Sequence, residues 1–244
     1  LAMALVLQLC HSMALVLIGD ARFRTARNIW MLEEMGVEFE HVNAMPRSPE
    51  ALSCNPTGKV PSLKHGDFVM YESAAINTYL GDAFRGKGAA LELVPASGTH
   101  ARGRYEQVIS FLCCEIDSQC LWVARKHKDL GHIYGACPDA VAAAQKYYFR
   151  CLNAFLTEFR SLGSEYLVGD NFSAADILFC HCISWANAIE WLTEAVETDG
   201  TVTVPGIEPQ NLHFLHAYWE KCKQRPAFQA MERRKKEAVA AASK

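Results

Sequence analysis

The sequence lacks a strong excess of charge of either sign. Its 244 residues carry 24 Lys plus Arg against 27 Asp plus Glu, a formal net charge of −3. This balance excludes the basic footprint of a nucleic-acid-binding protein and the polybasic signal of a membrane-surface protein. Half of the residues are hydrophobic, enough to bury a sizeable core. We therefore expect a globular protein whose partner is a small, near-neutral molecule.

Long hydrophobic runs are also missing. The apolar segment Leu1 to Cys10 is too short to span a bilayer and has no basic flank, so we expect no transmembrane segment or signal peptide. The pentapeptide MALVL occurs at Met3 to Leu7 and again at Met13 to Leu17, and we treat residues 1–12 as an extension. This extension is either the stub of a processed precursor or an alternative start. The expected location is cytoplasmic, or an organellar stroma or matrix if the first alternative holds.

The ten cysteines lack the regular spacing of a disulfide framework, and no pair has Cys-x-x-Cys spacing. We interpret them as reduced thiols in a reducing compartment. The nearest approach to a metal cluster is Cys180-His181-Cys182, whose adjacent side chains would point about 100° apart on a helix. Core packing is the favoured interpretation there, and no metal is expected.

The first third of the chain has the pattern of a βαβ unit followed by a ββα unit. A buried strand is predicted at Leu15 to Ile18, a helix ending before Gly36, and a second, parallel strand at Val37 to Val42. His65-Gly66-Asp67 is a turn between two short strands, Ser62 to Lys64 and Phe68 to Tyr71, and a helix follows over 73–84. This order is typical of an α/β domain with a thioredoxin-like layout, assigned to residues 13–86.

The rest of the chain has the pattern of an all-α helical bundle, assigned to residues 98–240. The linker 85–98 is rich in small residues, and helices are predicted over 101–126, 138–162, 173–192, 211–224 and 227–242. The segment 173–192 is apolar on every face and is expected to be the core helix. Ser173 and Asp176 form a capping-box sequence at its start, which we interpret as structural rather than catalytic.

Three segments carry a family resemblance. The run NPTGKVPSL from Asn55, followed by Glu72-Ser73, resembles the glutathione site of cytosolic glutathione transferases, and the segments YLVGDNFSAADILFCHCISWA from Tyr166 and RPAF from Arg225 resemble the same family's C-terminal domain. The chain is thus similar to a serine-type member, theta-like or bacterial-like. The resemblance implies a transferase with a detoxification role that uses glutathione as co-substrate and forms a homodimer.

The resemblance also implies which residues bind glutathione. Val60, before Pro61, would pair with the cysteinyl backbone, and Glu72 and Ser73 would hold the γ-glutamyl end. Lys59 or Arg47 would reach the glycyl carboxylate. Physical chemistry agrees, because a helix N-terminus with a Ser hydroxyl favours a carboxylate and a Glu favours an ammonium. The alternative is that Ser73 is only a helix cap and Arg47 a solvated loop residue.

The activating position departs from the family. Aligned on Arg27 and Trp30, the place of the usual hydroxyl is taken by Phe23, which leaves Thr25 as the hydroxyl of the loop and our catalytic candidate. Thr25 is equally well explained as the N-cap of the following helix. Arg22 and Arg24, with the helix N-terminus, offer a second way to lower a thiol pKa.

Two functions remain open from the sequence. The first is a transferase that conjugates glutathione to a small apolar electrophile or reduces a peroxide. Its second substrate would lie between the domains against Phe23, Phe111 and Cys114. The other is a non-catalytic member of the same fold that serves as a binding or scaffold subunit of a larger assembly.

Overall fold

The computed structural model describes residues 14–86, 92–196 and 202–242 and divides them into two compact units. The first unit contains the described residues up to Val94 and those from Gln224 onward, and the second contains those of Pro95–Lys223. The predicted extension 1–12 lies outside the described residues. None of the described helices is long and apolar enough to cross a membrane.

The first unit is built on a four-stranded sheet in the order β2-β1-β3-β4. The strands are β1 (Leu15–Ile18), β2 (Glu40–Val42), β3 (Ser62–His65) and β4 (Phe68–Tyr71). Strand β2 is parallel to β1, whereas β3 is antiparallel to both β1 and β4, as the βαβ and hairpin patterns predict. The second strand is shorter than predicted, because its pairing with β1 begins only at Glu40, opposite Val16.

Three helices connect these strands or follow them: α1 (Thr25–Met35), α2 (Pro49–Cys54) and α3 (Ser73–Ala83). Helix α1 ends at Gly36, whose φ of 61° is the left-handed conformation that favours glycine at this position. Helix α2 was not predicted, because the prolines around it indicated a loop. Pro49 is instead its first residue, and Ser48 caps it by accepting from the Ala51 N–H.

The second unit is a helical bundle with one small hairpin. Helix α4 (His100–Phe111) continues through a π-helical stretch (Leu112–Leu121), the short helix α5 (Trp122–Ala124) and a second π-helical stretch (Arg125–Asp129). The helices α6 (Gly131–Tyr134), α7 (Pro138–Leu162), α8 (Ala174–Ala188) and α9 (Pro209–Lys223) follow, with β5 (Ala195–Val196) and β6 (Val202–Thr203) between the last two. Helix α8 is buried along most of its length, as expected for the core helix.

The last helix, α10 (Pro226–Ala242), differs from the domain assignment made from the sequence. It groups with the first unit and packs against α1. Trp30 meets Phe228 edge to face with ring centroids 4.9 Å apart. Arg225 binds Glu34 through two hydrogen bonds of 2.5 and 2.8 Å, and the Glu34 carboxylate also accepts from the Trp30 indole. The first unit is therefore completed by the C-terminal end of the chain.

Replacing Glu34 with alanine is expected to lower the free energy of unfolding by about 2 kcal/mol, because the Arg225 guanidinium and the Trp30 N–H both lose a largely buried acceptor. The measurement is urea denaturation. Glu33→Ala is the matched control: its bond to Arg234 lies on the more exposed side of the same helix, where a loss below about 1 kcal/mol is expected. Equal effects of the two variants would contradict this account of the α1–α10 contact.

Candidate functional site

The loop between β1 and α1 is fixed by an ion pair. Asp20 is buried and accepts hydrogen bonds from the backbone N–H and the guanidinium of Arg22, the shortest at 2.7 Å. Burial alone would raise the pKa of the Asp20 carboxyl, but the hydrogen bonds from Arg22 outweigh it and lower the pKa. Because the two charges compensate each other, Arg22 is a weaker source of positive field than its sequence position indicates.

Thr25 is the first residue of α1, and its hydroxyl is fully buried. The N-cap position belongs to Arg24, whose side chain forms no capping hydrogen bond with the described residues, so the N-cap interpretation of Thr25 is wrong. Within the described chain the Oγ1 atom of Thr25 has no hydrogen-bond partner. A Cβ placed on Gly19 would lie 2.4 Å from this oxygen and 2.9 Å from the Val60 Cβ, so the hydroxyl and Val60 flank Gly19, and glycine is required there.

The segment from Asn55 to Lys59 is organised by the buried Asn55 side chain. Its amide oxygen accepts from the Thr57 N–H and hydroxyl, and its amide nitrogen donates to the Lys59 carbonyl at 3.1 Å. This bonding holds the chain in a tight turn that leads into Val60, so the Asn at the start of the motif has a structural role.

Val60 and Pro61 lie beside Glu72 and Ser73 at one end of the β3–β4 hairpin. Ser62 pairs with Tyr71 at this end of the hairpin, so Pro61, which precedes Ser62, lies next to Glu72, which follows Tyr71. The peptide bond between Val60 and Pro61 is cis. Neither backbone polar group of Val60 is hydrogen-bonded to the described residues. The structure thus brings together the four residues that were predicted to form the centre of the site.

Glu72 has an unusual backbone conformation for its residue type. Its φ is 75°, in the left-handed region, where the chain turns from β4 into α3. Few non-glycine residues adopt this conformation, and it is found where a functional constraint maintains it. The Glu72 side chain is exposed and, within the described part of the chain, forms no hydrogen bond or ion pair. Its carboxylate is available to a cationic group.

Ser73 is buried at the first position of α3 and is held by side chains of α1. Arg27 donates to its hydroxyl at 3.1 Å, and Asn28 donates to its carbonyl at 2.9 Å. Sequence reasoning used Arg27 only as an alignment anchor and did not predict either contact. The available signal was the polar pair Arg27-Asn28 directly before the apolar run from Ile29 to Leu32.

Arg47 and Lys59 are brought close together by the loop before β3. The Arg47 N–H donates to the Gly58 carbonyl at 2.7 Å, and both cationic side chains are exposed. Two positive charges therefore lie in the segment that precedes Val60, where the glycyl carboxylate was predicted to bind.

The residues predicted for the second substrate belong to different units. Phe23 is half-buried in the first unit. Phe111 lies in the second unit, where it stacks on Phe155 with centroids 5.3 Å apart, and Cys114 is exposed in the π-helical stretch. A pocket that combines the three stays a prediction.

Comparison with known proteins identifies the family of the chain. Residues 24–83 match the family model of the glutathione S-transferase N-terminal domain, and residues 133–199 match that of its C-terminal domain. Glutathione S-transferase 3 of Zea mays is 28% identical over 205 residues, 82% of this chain and 84% of the relative. Glutathione S-transferase hmp2 of Hypomyces subiculosus is 31% identical over 182 residues, 68% of this chain and 79% of the relative.

Solved structures give the same fold. The glutathione transferase URE2P6 of Phanerochaete chrysosporium, crystallised in complex with oxidised glutathione, has a TM-score of 0.71 and 20% identity, covering 94% of this chain and 99% of that one. The predicted fold class, a thioredoxin-like domain followed by a helical domain, is therefore confirmed. The two family models and the curated relatives establish that the chain belongs to the cytosolic glutathione S-transferase superfamily.

Proposed function

We propose that the chain binds glutathione along the end of the β3–β4 hairpin and conjugates its thiolate to a small apolar electrophile or uses it to reduce a peroxide. The observation that carries the proposal is the Val60 backbone, whose N–H and C=O are not hydrogen-bonded to any described residue and lie beside the start of α3. An extended peptide satisfies such groups by pairing with them as an added strand does. The cysteinyl residue of glutathione is the segment that would pair here.

The charges around Val60 match those of the rest of the tripeptide. Glu72 would bind the α-ammonium of the γ-glutamyl group, and the Ser73 hydroxyl with the first N–H groups of α3 would bind its α-carboxylate. Arg47 and Lys59 would bind the glycyl carboxylate at the other end. Each charged group of glutathione then has a partner of opposite charge or a hydrogen-bond donor.

The thiol needs a donor in order to ionise near neutral pH, because its ordinary pKa is about 8.5. The Thr25 hydroxyl is our candidate, and the assignment is supported by its lack of a hydrogen-bond partner among the described residues, since a thiolate would supply the acceptor. The thiolate sulfur would attack the electrophilic carbon, forming a C–S bond as the leaving group departs with its electron pair. We propose that Phe23 contacts this second substrate.

Binding and turnover are tested separately. Calorimetry with glutathione measures binding, and conjugation to an aryl halide or reduction of an organic hydroperoxide with excess glutathione measures turnover. Tight binding with neither activity would replace the transferase proposal by the non-catalytic alternative. Absence of glutathione binding would contradict both the site and the function.

Replacing Glu72 with alanine is expected to weaken glutathione binding roughly tenfold or more, because a charge-assisted hydrogen bond to the ammonium is lost. The dissociation constant is measured by calorimetry. Asp67→Asn is the matched control, because Asp67 is an exposed acid at the opposite end of the same hairpin and its neutralisation should leave the affinity unchanged. If Glu72→Ala binds glutathione as well as the unaltered protein, the assignment of the γ-glutamyl site is wrong.

We also propose that the protein is a homodimer, as the family resemblance implies. Strand β4 is at the edge of the sheet and carries exposed apolar side chains, among them Val69 and Tyr71, with Leu52 exposed on the neighbouring helix α2. Exposed apolar groups on an edge strand are favourable for association with another chain. Sedimentation equilibrium gives the oligomeric state directly, and a monomer at micromolar concentration would contradict the proposal.

A further inference from the structure

Four polar side chains are buried together where α1 packs against α3. They are Arg27, Asn28, Ser73 and Asn77, each less than about one-tenth exposed. Buried polar groups are costly unless they are bonded, and a connected set of them fixes one geometry of the groups it contains. Of the four, sequence reasoning assigned a function only to Ser73. The other three side chains contact Ser73 or each other.

The contact between Arg27 and Ser73 sets the direction of the serine hydroxyl. The Arg27 Nη1 atom lies 3.1 Å from the Ser73 Oγ atom. A guanidinium has donors and no acceptor, so Ser73 must accept this hydrogen bond and its own hydroxyl hydrogen stays available for a different acceptor. A cationic donor also polarises the hydroxyl and strengthens the bond that it donates.

The two asparagines hold the backbone of the same residue. The Asn28 amide nitrogen donates to the Ser73 carbonyl at 2.9 Å and to the Asn77 amide oxygen at 2.6 Å. Asn77 in turn donates to the Arg27 carbonyl at 3.3 Å, which closes the network between the two helices. The first turn of α3 is thereby fixed relative to Arg27, and its free N–H groups keep one direction.

We propose that Arg27 is the positioning residue for the γ-glutamyl α-carboxylate of glutathione and acts by fixing Ser73 as a hydrogen-bond donor. This inference rests on the proposed function. In this inference Arg27, a buried residue of α1, contributes to the affinity for the α-carboxylate without touching the ligand itself. A residue that only holds α1 against α3 would instead affect all ligands alike.

The test is a double-mutant cycle with two ligands. Arg27→Gln, Ser73→Ala and the double variant are titrated by calorimetry with glutathione and with 4-aminobutanoyl-cysteinyl-glycine, which lacks the α-carboxylate. With glutathione, each single variant is expected to bind roughly tenfold more weakly, and the double variant to bind within about twofold of Ser73→Ala. With the analogue, Arg27→Gln is expected to leave the affinity within about twofold of that of the unaltered protein.

Additive losses in the cycle, or equal losses for the two ligands, would overturn the inference. If thermal unfolding shows that Arg27→Gln does not fold, Arg27→Lys takes its place in the same cycle. Lysine keeps a cationic donor on a shorter side chain. The same non-additivity with Ser73→Ala is then expected. Failure of the unaltered protein to bind glutathione would contradict the proposed function instead, so the two failures are distinguishable.

Discussion

Replacing Asp176 with alanine is expected to lower the free energy of unfolding of the second unit by roughly 3–5 kcal/mol. The Asp176 carboxylate is fully buried at the start of α8 and accepts four hydrogen bonds. One oxygen accepts from the Leu167 N–H at 3.0 Å and the Tyr218 hydroxyl at 2.6 Å; the other accepts from the Ser173 N–H at 2.8 Å and its hydroxyl at 2.7 Å. The alanine leaves these buried donors without an acceptor.

The size of this effect follows from burial. Burial raises the pKa of the Asp176 carboxyl, and the hydrogen bonds that the carboxyl accepts lower it but do not outweigh burial. The apolar surroundings therefore disfavour the charged carboxylate. Urea denaturation measures the loss. Asp170→Ala is the matched control, because Asp170 is exposed in the same loop and, among the described residues, accepts only the Glu165 N–H at 3.2 Å. A loss below about 1 kcal/mol for Asp176→Ala would contradict the conclusion that these four hydrogen bonds stabilise the start of α8.

The sequence predicted the elements that depend on local chemistry. The capping-box sequence at Ser173 predicted that Asp176 would reach back to the Ser173 N–H, and that bond is confirmed. The turn His65-Gly66-Asp67 predicted the β3–β4 hairpin, whose register then brings Pro61 beside Glu72. The position of Pro61 beside Glu72 therefore depends on residues that are close in the chain, whereas the glutathione-binding roles of these residues were implied by the family resemblance.

Contacts between distant residues were not predictable in the same way. Glu34 and Arg225 are 191 positions apart, and nothing local indicates that α10 packs against α1. A charged residue within a helical pattern normally faces solvent, so the polar pair Arg27-Asn28 did not by itself predict burial against Ser73. The helix α2 was missed for a different reason: Pro49 was placed in a loop with other prolines, although a proline at the first position favours a helix.

Replacing Thr25 with valine is expected to reduce turnover with an aryl halide roughly tenfold to hundredfold without loss of stability. Valine keeps the shape of threonine and removes the hydroxyl, which in the described chain lacks a hydrogen-bond partner. An unsatisfied buried hydroxyl costs about 1–3 kcal/mol, so the ligand-free protein should be equally stable or more stable. A hydrogen bond to a thiolate is worth about 1.5–3 kcal/mol, which sets the expected loss of rate.

The dependence of turnover on pH distinguishes a thiol donor from a packing residue. A donor favours the charged form and lowers the pKa of bound glutathione, so its removal raises that pKa toward the ordinary value of about 8.5. The rate lost by Thr25→Val should then be largest at neutral pH and shrink as the pH rises above about 9. Thr25→Ser, which keeps the hydroxyl, should retain most of the activity at every pH. A loss of rate in Thr25→Val that is the same at all pH values would assign Thr25 to packing, and the N–H groups at the start of α1 would then be the donors that remain for the thiolate.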